Sequence, residues 1–190
     1  MIRFAIVAAV LFSAAPALAQ EAPTEESGYS WEAELGVVSD YRYRGVSNSG
    51  ERPAVQGGAT LYAPDGWYAG VWSSSIEEYG VGSDGDGARA ELDFSFGRGF
   101  QVHGFDVDMG VAAYTYPDGD DVSYVEFPLS VSRTTGAWTV TGAVAYAPPQ
   151  TGTGDEADTY VSGAVEYAWP EKPLALTASV GLEEGAWYHS

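Results

Sequence analysis

The feature that most constrains this chain is an alternation with a period of two that returns in nine segments. The clearest is Phe105 to Tyr116, where Val107, Met109, Val111 and Ala113 oppose Asp106, Asp108, Gly110 and Ala112. Alternate residues of a strand point to opposite faces, so each such segment predicts a strand with one apolar face and one polar face. The others are Trp31 to Gly45, Pro53 to Ala63, Trp67 to Ile76, Ala88 to Gly97, Val122 to Arg133, Ala137 to Tyr146, Ala157 to Trp169 and Leu174 to Leu182. No segment of useful length shows a helical period. Each predicted strand has about 10 residues, the length a tilted strand needs to cross a bilayer, and about twice that of an ordinary soluble strand. Turn residues separate them: Asn48-Ser49-Gly50, Pro64-Asp65-Gly66, Pro117-Asp118-Gly119 and Thr135-Gly136.

Composition narrows the choice. The chain has 190 residues, a formal charge of −19 and no cysteine. The acidity argues against nucleic acid as a partner, and the missing thiols exclude disulfides and thiol chemistry. Met1-Ile2-Arg3, an apolar run from Phe4 to Phe12 and Ala17-Leu18-Ala19 read as a secretory signal cut after residue 19. Residues 20–29 read as a flexible acidic leader, and residues 30–190 as one β-domain.

Where the acids fall decides the class of fold. Glu32, Glu34, Asp40, Glu91, Asp93, Asp106, Asp108, Glu126 and Glu166 all take the polar parity. The aromatic-rich opposite faces suit lipid, and the acids then line a wet interior. The expected fold is an all-β, antiparallel, up-and-down transmembrane barrel of about ten strands. Nine lie within these residues, and an odd count predicts a truncated C-terminus, because both ends of a bacterial barrel belong in the periplasm. Strands of this parity packed into a water-soluble sandwich are the competing reading.

Ser39-Asp40-Tyr41-Arg42-Tyr43-Arg44-Gly45-Val46-Ser47 extends the first predicted strand to Gly45. Asp40, Arg42 and Arg44 then point into the lumen, and Tyr41 and Tyr43 point to the lipid rim. The candidate lumen charges are Glu34, Asp40, Arg42, Arg44, Glu91, Asp93, Asp106, Asp108, Glu126 and Glu166. The arginines either brace the wall against carboxylates or form a constriction that selects solutes. Tyr114 and Tyr116 take the polar parity, which puts them inside the barrel mouth or requires a bulge.

Loops at one end, Glu77–Gly87 and Ala147–Glu156, are long; those at the other are tight, except Arg98–Gly104. Asp84-Gly85-Asp86-Gly87 and Asp118-Gly119-Asp120-Asp121 are fragments of calcium-loop patterns without the full spacing, and read as loop tips. No catalytic residue, metal or cofactor is assigned. His103 and His189 stand in no Ser-His-acid arrangement in sequence, and Glu91 and Asp93 two apart are a weak hydrolase signal.

The Ser39–Ser47 block, Pro53-Ala54-Val55-Gln56-Gly57-Gly58, Gly66-Trp67-Tyr68-Ala69-Gly70-Val71-Trp72-Ser73-Ser74, Glu91-Leu92-Asp93 and Tyr114-Thr115-Tyr116-Pro117 together resemble the TorF porin family of Gram-negative outer-membrane proteins. The resemblance covers about residues 30–190. It implies a β-barrel with a channel, placed in the outer membrane by the barrel assembly machinery and surrounded by its lipid; small cationic or neutral solutes are expected separately, from the excess of carboxylates on the polar face. It carries over no catalytic residue and no substrate. Such barrels end on a strand with a terminal aromatic, whereas this chain ends Trp187-Tyr188-His189-Ser190. A closed barrel with a structural or surface-binding role is the alternative.

Overall fold

The computed structural model describes residues 28–80 and 87–186. The signal, most of the leader, the Asp84–Asp86 loop tip and the terminal Trp187–Ser190 lie outside the described residues. The described chain is all-β, with a single short 3-10 turn at Thr151–Thr153. Among the described residues no helix is long and apolar enough to cross a membrane.

Among the described residues nine strands form one antiparallel meander: β1 (Ser30–Val38), β4 (Ala54–Tyr62), β5 (Trp67–Tyr79), β6 (Ala88–Val102), β7 (Phe105–Thr115), β8 (Tyr124–Thr135), β9 (Trp138–Ala147), β10 (Asp158–Ala168) and β11 (Ala175–Gly185). Each pairs with its neighbour in sequence, and β1 and β11 are the two edges of an open sheet. With nine alternating strands these edges run in the same direction. Strands of 9 to 15 residues match the lengths read from the alternation.

The first strand is shorter than the sequence suggests. β1 ends at Val38, and Arg42–Tyr43 (β2) pairs with Val46–Ser47 (β3) in a separate hairpin. Arg44 (φ 50) and Gly45 (φ 88) form its two-residue turn. Positive φ at both positions matches the right-handed twist of a tight hairpin. A two-residue turn does not disturb the alternation of polar and aromatic positions, so the pattern looked like one continuous strand. The loop expected over Arg98–Gly104 is also corrected. β6 runs to Val102, and His103 (φ 51) with Gly104 (φ 80) makes a tight turn, because Gly97 to Val102 complete the ladder to β7.

The hairpin touches strands far apart in the sheet. The Tyr41 ring meets Trp72 on β5, and the Arg44 guanidinium meets Glu183 on β11. Six strand spacings separate β5 from β11, about 29 Å in a flat sheet at ~4.8 Å each. Tyr41 and Arg44 are three residues apart, a chain reach of only about 11 Å. The sheet must therefore curl around the hairpin.

Partners directly opposite in an antiparallel ladder share a face, so the register sorts every side chain. One face, the hairpin face, carries Glu91, Asp93, Asp108, Tyr114, Glu126, Ser130, Asp158, Tyr160 and Glu183. The outer face carries the row Met109, Leu129, Val144, Val161 and Leu182. Leu35, Val37, Phe94, Phe96, Val140 and Val180 lie on it too, and all are exposed. Two arginines interrupt this apolar face, both near the tight turns: Arg98 lies over Trp67 and Arg133 over Phe105.

Candidate functional site

Three hydrogen bonds hold the base of the hairpin. The Ser47 and Ser49 hydroxyls donate to Asp40 Oδ1 at 2.5 and 3.1 Å, and the Tyr41 amide donates to Ser49 Oγ at 2.9 Å. Arg42 Nε pairs with Asp40 Oδ2 at 2.6 Å, and its guanidinium reaches Glu51 at 3.5 Å. The Glu77 amide donates to the Asn48 carbonyl at 2.8 Å and ties the loop to β5. With its base fixed, the turn residue Arg44 projects onto the hairpin face.

Arg44 is the hub of the site. Its side chain is 8% exposed. Nη2 lies 2.5 Å from Glu126 Oε1, and Nη1 lies 2.8 Å from Glu183 Oε1 and 3.8 Å from Asp158 Oδ2. The guanidinium carbon stands 4.7 Å from the centre of the Tyr43 ring and 4.4 Å from that of Tyr160. Glu126 and Asp158 are fully buried, at 1% and 0% exposure. Tyr43 Oη lies 3.0 Å from Tyr114 Oη and 3.2 Å from Glu126 Oε2, so the second carboxylate oxygen also has a donor in reach. The Tyr114 and Tyr124 rings stack at 4.6 Å beneath. One cation thus answers three carboxylates drawn from β8, β10 and β11.

A second group sits on β6. Glu91 is 1% exposed and accepts from the Tyr116 hydroxyl at 3.2 Å. Asp93 lies two residues along the same face, with one oxygen buried. Tyr116, Tyr124 and Ala88 form a small core here, backed by Ile76, Tyr114 and Val122. Tyr114 and Tyr116 therefore sit on the polar parity they take in the sequence, with no slip of register at their strand.

The remaining candidates are dispersed. Glu34 on β1 is exposed. Asp106 pairs with Gln101 at 2.7 Å, Asp108 accepts from Tyr68 at 3.0 Å, and Glu166 accepts from Thr177 at 3.1 Å. Asp106 and Asp108 line an open recess of about 340 Å³ with Gln101, Ser130 and Ser132, toward the tight turns. Arg42 and Arg44 were expected to point the same way with the tyrosines at a lipid rim. Instead Arg42 stays half-exposed beside Asp40, Arg44 is buried, and Tyr41 and Tyr43 pack inward. The hairpin's own twist causes this, and the buried acids give the tyrosine hydroxyls their partners. Asp158, Tyr160 and Glu183 were not singled out from the sequence, yet parity places them with Glu166 and Ser179 on the hairpin face. Among the described residues no group of three or more His, Cys, Asp or Glu could hold a metal ion. Asp118 lies within a turn closed by a Gly119 amide to Tyr116 carbonyl bond of 3.0 Å, and Asp121 follows it.

Asp40 stands outside the sheet. The Ser47 hydroxyl, with Ser49 and Arg42, holds its carboxyl below the ordinary aspartate range against the opposing effect of burial. A depressed native value means the stabilisation is present above the unfolded value of ~3.9 and is lost as pH falls through the native one. NMR titration should give Asp40 a midpoint below ~3.9. Ser47→Ala should raise that midpoint; an unchanged value would remove Ser47 as the cause.

Comparison with curated proteins and with solved structures gave no match. A family model does match, over residues 22–190, and so includes every strand of the sheet, the hairpin and the Arg44 cluster. Its description is "Bacterial protein of unknown function (Gcw_chp)", and the chain belongs to that family.

Proposed function

We propose that the sheet is the wall of an outer-membrane β-barrel whose narrow polar interior passes small cationic or neutral solutes. One observation carries this reading. Large apolar side chains stand exposed along the outer face while Glu91, Glu126 and Asp158 are buried on the other. In water that arrangement is inverted, because a soluble sheet buries its apolar face. In lipid it is the expected one. Strand length supports it, as does the contrast between the tight turns at one end and the long segments 39–53 and 148–157 at the other. Arginines over aromatic rings near the tight turns suit a membrane interface, where long cations reach out of the hydrocarbon. The TorF resemblance points the same way. The reading requires the parallel-running edges β1 and β11 to be covered in lipid, since each unpaired backbone group there costs several kcal/mol.

Protein refolded without residues 1–19 should stay in solution only with detergent, and show a β-rich circular dichroism spectrum there. A monomer stable in plain buffer would overturn the membrane reading. In a planar bilayer, inserted protein should conduct, with reversal potentials that favour cations, because carboxylates outnumber Arg44 on the hairpin face. The inward hairpin favours a second reading, a closed barrel with a structural or surface-binding role. Inserted protein with no conductance would establish that one instead.

A further inference from the structure

The surroundings of Arg44 have the features of a ligand site. A planar cation lies within 4.7 and 4.4 Å of two aromatic ring centres, with carboxylates at its edge. Guanidinium is recognised by that combination: its N–H groups meet carboxylate oxygens while its face meets π-electrons. The wall residues Glu126, Asp158, Tyr160 and Glu183 come from three strands of the sheet, whereas the cation comes from the hairpin. Wall and occupant are thus separate parts of the chain, 82 residues apart at Glu126 and 139 at Glu183.

The charges do not balance. Glu126, Asp158 and Glu183 face one guanidinium, and the nearest acids on β6, Glu91 and Asp93, are in no ion pair within 4.0 Å among the described residues. A site built only to brace the hairpin would be satisfied by one carboxylate. Glu126 and Glu183, the two carboxylates in close contact with Arg44, keep affinity for a cation when Arg44 is absent, because a carboxylate stripped of its buried ion pair is costly.

We propose that Glu126, Asp158, Tyr160 and Glu183 form a receptor for guanidinium and alkylammonium groups, which Arg44 fills as a tethered ligand. The inference rests on the barrel reading for the route by which a free solute reaches the site. It names the class of solute that interior favours: small molecules ending in a guanidinium or a primary amine. A free cation competes with Arg44, and the hairpin leaves the wall when it wins.

The experiment empties the site and refills it. The variant is Arg44→Ala, in detergent, and the probe is methylguanidine, with N-methylurea as the neutral molecule of the same shape. Methylguanidine at about ten times its dissociation constant should raise the melting temperature of Arg44→Ala by roughly 3–6 °C, saturably. N-methylurea should not raise it. Adding Glu126→Gln should weaken the methylguanidine response at least about tenfold, as loss of a buried charge-assisted pair does. Equal responses to the two probes, or a response that survives Glu126→Gln, would overturn the proposal. Arg44→Gln, which keeps a donor on the hairpin, serves if the alanine variant does not fold. If neither folds alone, recovery of folded protein by methylguanidine and not by N-methylurea supports the site, and no recovery counts against it. The measurement needs no conductance. A silent bilayer with a saturable methylguanidine response would end the channel reading and leave the receptor standing.

Discussion

Arg44→Ala is expected to remove roughly 3–5 kcal/mol of folding stability, the usual consequence of taking one partner from a buried ion pair. The residue is 8% exposed, and its loss leaves Glu126, 1% exposed, without its cation. Arg42→Ala should barely move stability, because Arg42 is 47% exposed and an ion pair in that setting contributes little. Denaturant unfolding in detergent, side by side, measures both. Adding Glu126→Gln to Arg44→Ala should recover part of the loss, since the surviving amide costs less to bury than a lone carboxylate. Equal effects of the two arginine variants would mean that the burial of Arg44 has no energetic weight.

That contrast also marks how far the sequence could be read. The alternation located the strands because lipid and water, or core and water, impose a two-residue period that nothing else in this chain imitates. Phe105 to Tyr116 became β7 almost residue for residue. The same period concealed the hairpin. In Asp40-Tyr41-Arg42-Tyr43-Arg44 polar and aromatic residues alternate whether the chain goes straight on or turns back at Arg44-Gly45. The available signal was Arg44-Gly45 itself, a pair suited to positive φ only through its glycine, and therefore weak. The predicted strand stops at Gly97, whereas the backbone ladder continues to Val102. In the site, Glu126, Glu91 and Arg44 were named from the sequence, but their assembly was not. Parity states which face a side chain takes, and is silent on which strands the curl of the sheet brings together. Glu183 lies one residue beyond the predicted strand end at Leu182, on the polar parity of Ser179 and Gly181.

The second large effect concerns the outer face. Leu129→Arg is expected to cost about 2–4 kcal/mol of folding into lipid vesicles, as a charge near mid-bilayer on the lipid side of a barrel does. Leu129 sits between Met109 and Val144 in the apolar row, with no acid beside it. Ser130→Arg, one residue along, should be tolerated far better, because it enters the face that carries Asp108. In a water-soluble sheet the ranking would change, since Leu129 is 38% exposed and a surface substitution there moves stability by only about 0.5 kcal/mol. Folding yields and unfolding curves in vesicles decide between these. Equal costs at the two positions would remove the assignment of faces, and the membrane reading with it.

The hairpin also separates two classes of contact by their distance along the chain. Every ladder of the sheet joins consecutive strands, so the meander is assembled from contacts of low contact order. The Tyr43 and Arg44 contacts span 71 to 139 residues. Closing loops of that size costs entropy that the neighbouring ladders do not have to meet. The clasp therefore forms late, after the sheet has curled, and breaks early. Its loss should leave the folding rate nearly untouched and appear almost wholly as faster unfolding. The lifetime of the folded protein is then set at one arginine, while the speed of its assembly is set by the turns between the strands.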